Sequence, residues 1–290
     1  MTTLRALFKE GKQRLLEAGI EEWELDAWLL LEYAAGCTRN EYYLYPKREV
    51  EESRKRDYLD LIQRRAAHIP LQHLTGSQEF MGYPFRVNEH VLIPRQDTEI
   101  LVEEALSCMR SGMEILDLCT GSGCILLSIL KAAPGLTGLG TDLSEQALQV
   151  AQRNRSELNL ETKARFQKSD LFEQVEGKFD RILSNPPYIP SKVVDTLMEE
   201  VREHEPRIAL DGREDGLYYY RKITAQSPAY LRPGGMLFLE IGYDQAEAVT
   251  ELMERDFTEV HVVKDLSGLD RVVYGSLKPQ AYGGKRCLTD

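Results

Sequence analysis

Apolar residues recur at helical spacing from the start of the chain. Leu4, Leu7, Phe8, Leu15 and Leu16 fall near a 3.6-residue period behind Thr3, which can cap the first turn of a helix. Trp23, Ala27, Leu30 and Tyr33 predict a second helix, stopped at Gly36. Tyr58, Leu61 and Ile62 predict a third, highly charged one over about 51–67, with Pro70 beyond it. Three or four short helices of this kind can pack as a small bundle, and the plain reading of their charged faces is solvation.

Between residues 79 and 87 the pattern changes. Phe80, Met81, Tyr83, Phe85 and Val87, with Gly82 and Pro84 between them, read as a short hairpin connecting two parts of the chain. A helix is expected over 96–110, with Asp97, Thr98 and Glu99 supplying acidic or capping groups at its start. From about residue 112 short apolar runs alternate with helix-length segments. Strands are expected over 113–118, 136–141, 164–167, 180–184 and 236–240, and helices over 124–133, 144–159 and from 245. Two last strands, near 260–263 and 271–274, flank a short Ser-Gly loop and are expected to be antiparallel. Such alternation predicts a mostly parallel sheet with right-handed crossovers and helices on both faces.

Composition narrows the function. Thirty-six Lys+Arg against 47 Asp+Glu leave a net charge of −11, which argues against a broad phosphate-binding surface. The five cysteines, Cys37, Cys108, Cys119, Cys124 and Cys287, form no C-x-x-C pair, and the five histidines form no metal-ligand cluster. Reduced thiols, the lack of an apolar leader and the lack of a bilayer-length apolar run predict a cytoplasmic protein with no membrane or metal partner.

The chemistry gathers at two turns. The first expected strand of the sheet runs into Asp117-Leu118-Cys119-Thr120-Gly121-Ser122-Gly123. Gly121 and Gly123 permit a sharp turn and close approach of a ligand, although a lone G-x-G is weak evidence. Asp142, at the end of the next strand, has the spacing of an acid that accepts from ribose hydroxyls. The third glycine of a dinucleotide fingerprint is replaced by Leu126, and Asp117 would repel a phosphate while favouring an ammonium and a sulfonium. The turn therefore predicts S-adenosylmethionine rather than a dinucleotide. Asp170, after the third strand, is placed to accept from an adenine amine with Leu171 packed on the ring; the plainer reading of Asp170 is a helix cap.

Asn185-Pro186-Pro187-Tyr188 follows the fourth strand, where open α/β folds put their ligands. Two prolines stiffen the loop and remove two N–H donors. The Asn185 side-chain oxygen and the Pro186 carbonyl could then hold the hydrogens of an NH2 group, with Tyr188 offering a flat face to a planar substrate. An amide or aryl-amine nitrogen has its lone pair delocalised, and such acceptors favour the pyramidal geometry needed for attack.

With these residues the chain resembles the PrmC/HemK family, the methyltransferases that modify the glutamine of the Gly-Gly-Gln motif in class-one peptide chain release factors. The resemblance extends to Pro70-Leu71-Gln72-His73-Leu74-Thr75-Gly76 and to Ile93-Pro94-Arg95-Gln96-Asp97-Thr98-Glu99, in which Gln96 replaces a proline. It also covers Glu205-Pro206-Arg207-Ile208-Ala209-Leu210, Glu214-Asp215-Gly216-Leu217 and Lys264-Asp265-Leu266-Ser267-Gly268-Leu269-Asp270-Arg271. It implies an N-terminal helical substrate-recognition domain over 1–75 and a β-hairpin linker over 76–92. A class I S-adenosylmethionine-dependent methyltransferase domain follows over 93–290, a seven-stranded mostly parallel sheet with its last strand antiparallel. It implies cofactor contacts from Asp117, Cys119, Thr120, Gly121, Ser122, Gly123, Asp142, Leu143, Asp170, Leu171 and Asn185. Substrate contacts and catalysis fall to Asn185, Pro186, Pro187 and Tyr188, with Arg95 added as a substrate contact. Cys119 stands where many methyltransferases have glycine, so its side chain is expected to point away from the cofactor. The readings held against this one are a nucleic-acid amino-methyltransferase, which the charge disfavours, and a non-catalytic nucleotide-binding protein, which the retained Asp117, Asp142 and Asn185 disfavour.

Overall fold

Apolar stripes on five helices close a bundle at the N-terminal end of the computed structural model, which describes residues 2–279. These are α1 (Leu4–Glu17), α2 (Trp23–Ala35), α3 (Arg39–Leu44), α4 (Glu52–Ala66) and α5 (Leu71–Thr75). Leu7, Leu15, Leu30, Tyr58 and Ile62 are fully buried among them. Thr3 caps α1 as expected, its hydroxyl accepting from the Ala6 N–H at 3.3 Å, and Gly36 ends α2 in the left-handed conformation. The sequence pattern did not reveal α3, whose Thr38–Glu41 capping box stabilises a helix of only six residues.

The hairpin forms as β1 (Ser77–Phe80) and β2 (Tyr83–Arg86). The expected helix at 96–110 is shorter: a 3-10 turn, Gln96–Thr98, leads into α6 (Glu99–Ser107). Its acidic and hydroxyl side chains do not cap it. Glu99 accepts from the Met81 N–H of the hairpin at 2.6 Å, Asp97 pairs with Arg271 at 3.2 Å, and Thr98 turns towards Asn185.

The alternating region builds β3 (Glu114–Leu118), α7 (Cys124–Ala132), β4 (Thr137–Asp142), α8 (Glu145–Glu157), β5 (Ala164–Lys168) and β6 (Phe179–Ser184). After three short helices, α9 (Ser191–Val194), α10 (Glu199–His204) and α11 (Arg207–Leu210), come α12 (Tyr218–Tyr230), β7 (Leu231–Glu240), α13 (Ala246–Met253), β8 (Phe257–Lys264) and β9 (Asp270–Leu277). The seven strands β3–β9 form one sheet in the order β5-β4-β3-β6-β7-β9-β8, with β9 antiparallel to both neighbours. Buried apolar side chains fill both faces, Ile115, Leu126 and Leu130 on one and Leu116, Ile182 and Leu237 on the other. Register aligns the carboxyl ends of the central strands: Leu118 stands opposite Thr141 and Ser184, and Ser184 opposite Leu239. Every loop that follows these strands therefore opens on one edge of the sheet, where open α/β folds place ligands.

Candidate active site

A cleft enclosing about 940 Å³, part of it open to solvent, lies over those carboxyl ends. Its floor is the turn after β3. Thr120, Gly121 and Ser122 line it, and Gly121, at φ +55°, has open space where a Cβ would project. Gly123 serves a different purpose. At φ +80° it packs so tightly that a Cβ would stand 3.0 Å from Phe166 and 3.1 Å from Leu127. Gly123 does not line the cleft; it lets α7 close against the sheet.

Asp117 also departs from expectation. It is fully buried beneath the turn rather than in the cleft wall, with one oxygen accepting from the Thr120 hydroxyl at 2.6 Å and the other without a partner. Burial pushes its carboxyl up to about 7, against the Thr120 hydrogen bond that lowers it. Asp142 lies in the wall. Its oxygens accept one backbone N–H each, from Gly121 and Ser144, both at 2.9 Å, and keep further lone pairs. Burial raises its pKa too, while those two N–H groups oppose the rise. Leu143, half exposed, stands at the cleft edge.

On the third side Ser169 ties the loop, donating to the Leu171 carbonyl at 2.8 Å and accepting from the Gln174 N–H at 3.0 Å. Among the described residues no backbone N–H donates to the Asp170 side chain, and Asp170 lines the cleft, as does buried Leu171, held at φ +50°. Cys119 lies along the cleft wall, and its side chain packs on the core behind. It does so at φ +58°, a conformation that suits glycine. Cys287 lies outside the described residues.

The Asn-Pro-Pro-Tyr loop rises from β6. Asn185 and Pro187 line the cleft; Pro186 is buried behind them. The Asn185 amide group donates from Nδ2 to the Thr98 hydroxyl at 3.3 Å, which leaves its oxygen free. Among the described residues no donor reaches the Pro186 carbonyl. Tyr188 corrects another expectation. Its phenol turns back from the cleft towards buried Glu240, at 3.5 Å, and its ring packs on the core, so it offers no flat face there. What it fixes is the loop: its carbonyl accepts from Gln245 at 3.0 Å, and Gly212 and Gly216 leave room for its backbone.

Residues 90–95 and 206–209 form the remaining walls. Arg95 lines the cleft and is bonded to Glu205, whose other oxygen accepts from the Ile93 N–H at 3.2 Å. Asn154 joins the hairpin to the floor, donating to the Ser122 carbonyl at 2.9 Å and accepting from the Arg86 N–H at 2.7 Å. The sequence pattern missed Thr98, Asn154, Glu205 and Glu240. Thr98 and Glu205 sit inside the motifs that carry the family resemblance, so a signal existed for those two.

Two acids, Asp142 and Asp170, line the cleft, and Asp117 lies beneath its floor. Among the described residues Asp117, Asp142 and Asp170 have no ion-pair partner, and Asp142 raises the pKa of Asp117 further. Carboxylates without cations suit a ligand bearing an ammonium and a sulfonium. The residues present thus fit S-adenosylmethionine.

Comparison with known proteins agrees. Residues 6–76 match the family model described as the PrmC N-terminal domain, and residues 96–208 that of the methyltransferase small domain. The release factor glutamine methyltransferase of Caulobacter vibrioides is 44% identical over 96% of this chain and 97% of its own length. The protein of that name from Clostridium acetobutylicum is 41% identical over 89% of this chain and 93% of its own. A methyltransferase structure from Pyrococcus furiosus, 18% identical, superposes with a TM-score of 0.53 over 74% of this chain and 98% of its own, which supports the fold.

Proposed function

The chain belongs to the family of release factor glutamine methyltransferases, and on that premise we propose that it methylates the side-chain amide nitrogen of the glutamine in the Gly-Gly-Gln motif of class-one peptide chain release factors. The cofactor is S-adenosylmethionine, which when bound supplies the electrophilic methyl of its sulfonium. The observation that carries the site assignment is the Asn185 amide, with Nδ2 occupied by Thr98 and its oxygen free beside the cleft.

The residues divide the work as follows. Asp142 accepts from the ribose hydroxyls, Asp170 and Leu171 hold the adenine, and Gly121 permits close approach of the methionine end. Asp117 acts from beneath the turn, holding Thr120 through its hydroxyl. The Asn185 oxygen and the Pro186 carbonyl grip the two hydrogens of the glutamine NH2. That grip keeps the lone pair out of conjugation and stabilises the positive charge that grows on nitrogen during transfer. A positively charged alkylated amide is acidic enough to release its proton to water, so the site needs no strong base. Arg95, with one end of its guanidinium held by Glu205, meets the substrate at the mouth.

Residues 1–75 act as the recognition domain for the release factor, 76–92 as the linker and 93–290 as the catalytic domain in this proposal. The proposed workplace is the cytoplasm, in support of translation termination. Among the described residues no helix is long and apolar enough to cross a membrane. The test is to incubate the protein with labelled S-adenosylmethionine and purified class-one release factors and map the product by mass spectrometry. One added methyl on the glutamine of Gly-Gly-Gln is expected. Label on another residue type, or only on nucleic acid added in parallel, would contradict the proposal.

A further inference from the structure

Asparagine can present either an acceptor or a donor to the cleft, because its amide group rotates through a half-turn at little cost to its shape. Only the acceptor face can hold a substrate NH2. Something must therefore choose the face, and Asn185 makes its side-chain bond to a single residue among those described, Thr98. Thr98 is buried where the 3-10 turn meets α6, with its hydroxyl 3.3 Å from Asn185 Nδ2. A hydroxyl is itself ambiguous, being both donor and acceptor, so it fixes the amide only if its own proton is committed elsewhere.

Glu240 offers an acceptor for that proton. It ends β7, next to β6 in the sheet, and is 2% exposed, with one oxygen lacking any hydrogen bond. Its nearby polar groups are the Thr98 hydroxyl, the Tyr188 phenol, Asp97 and Arg271, while the Tyr220 phenol donates to its backbone carbonyl at 2.9 Å. An ionised carboxylate has acceptors only. The unpartnered Glu240 oxygen is an acceptor to which the Thr98 proton can turn, and the Thr98 lone pair is then left for Asn185 Nδ2. Burial pushes Glu240 up to about 7, while Thr98 and Arg271 favour the charged form, so the acceptor-only state prevails above neutral pH.

We infer that Thr98, oriented by the buried carboxylate of Glu240, is a positioning residue that holds the oxygen of the Asn185 amide towards the substrate. The inference rests on the proposed role of Asn185 and extends it to a residue that need not touch the transferred methyl. Removing the hydroxyl leaves the amide free to turn, and part of the population then offers a donor to a substrate NH2, which repels it.

The test is a double-mutant cycle read by turnover, at a pH well above the Glu240 value. Thr98→Val preserves shape and removes the hydroxyl; it is expected to lower kcat roughly tenfold, the usual worth of one neutral hydrogen bond. Affinity for S-adenosylmethionine, measured by calorimetry, is expected to stay within roughly threefold, because binding that does not pass through the amide is spared. Thr98→Ser is expected to recover most of the lost turnover. In an Asn185→Ala background Thr98→Val is expected to cause no further loss, since the group it orients is gone. Thr98→Ala repeats the cycle if the valine variant folds poorly. Wild-type turnover in Thr98→Val, or an equal loss in both backgrounds, overturns the inference while leaving the role of Asn185 standing. Near-normal turnover of Asn185→Ala alone overturns both.

Discussion

At Asp142 two backbone N–H groups hold the carboxylate in place, and the lone pairs left over face the cleft. An acid held this way is ready to accept from a diol without reorganising. Asp142→Ala is expected to weaken S-adenosylmethionine by roughly a hundredfold, the worth of two hydrogen bonds to a charged group at the low end of their range. Calorimetry decides it, and a dissociation constant within roughly threefold of wild type would remove the ribose from this carboxylate. Asp142, Gly121 and Asn185 were legible in the sequence because strand-end position and residue chemistry together determine them. Asp117, Gly123 and Tyr188 were singled out for the right loops, but the Asp117 and Tyr188 side chains act behind the cleft wall, and Gly123 serves packing there by having none. Spacing cannot distinguish a residue in the wall from one beneath it. Thr98 and Glu240 were less legible still: they are 142 residues apart in sequence, and only the sheet order brings them to the same loop.

The turn after β3 shows the same division between two glycines two positions apart. Gly123→Ala combines a left-handed φ with a Cβ 3.0 Å from Phe166 and 3.3 Å from Ala151. Strain and overpacking together are expected to cost about 2–4 kcal/mol in denaturant unfolding. Gly121→Ala meets open space and is expected to cost about 1 kcal/mol, the left-handed penalty alone, while its methyl intrudes on the cofactor. Equal losses of stability in the two variants would contradict this division. Long periodic elements such as α1, α2 and α8 were readable to within a few residues. The six-residue α3 and five-residue α5 were not, since less than two turns gives too short a period to count. β7 opens with Leu231 opposite Phe179, but residues 232–235 bulge out, Gly234 at φ +73°, and regular pairing runs from Met236 opposite Arg181, so the strand expected over 236–240 is the regular part of β7.

Across the whole molecule, a buried arginine joins the bundle to the segment between β6 and α12. Buried Arg65 on α4 bonds Asp26 on α2 and Glu200 on α10, each at 2.7 Å. α10 leads directly to Glu205 and the cleft wall at Pro206, so the helical bundle is tied to the segment that walls the cleft. The alternation of strands and helices predicted the sheet class, but not that β9 would insert between β7 and β8, because pairing order leaves no periodic trace. In the proposed mechanism this framework presents one atom, the oxygen of Asn185, to the cleft. The most direct test is methyl transfer by Asn185→Ala to an intact class-one release factor in a single-turnover assay, with cofactor affinity measured alongside. A rate lower by roughly a hundredfold or more, with S-adenosylmethionine bound nearly as tightly as before, is the predicted result. Near-wild-type transfer would contradict the claim that this oxygen holds the reacting nitrogen.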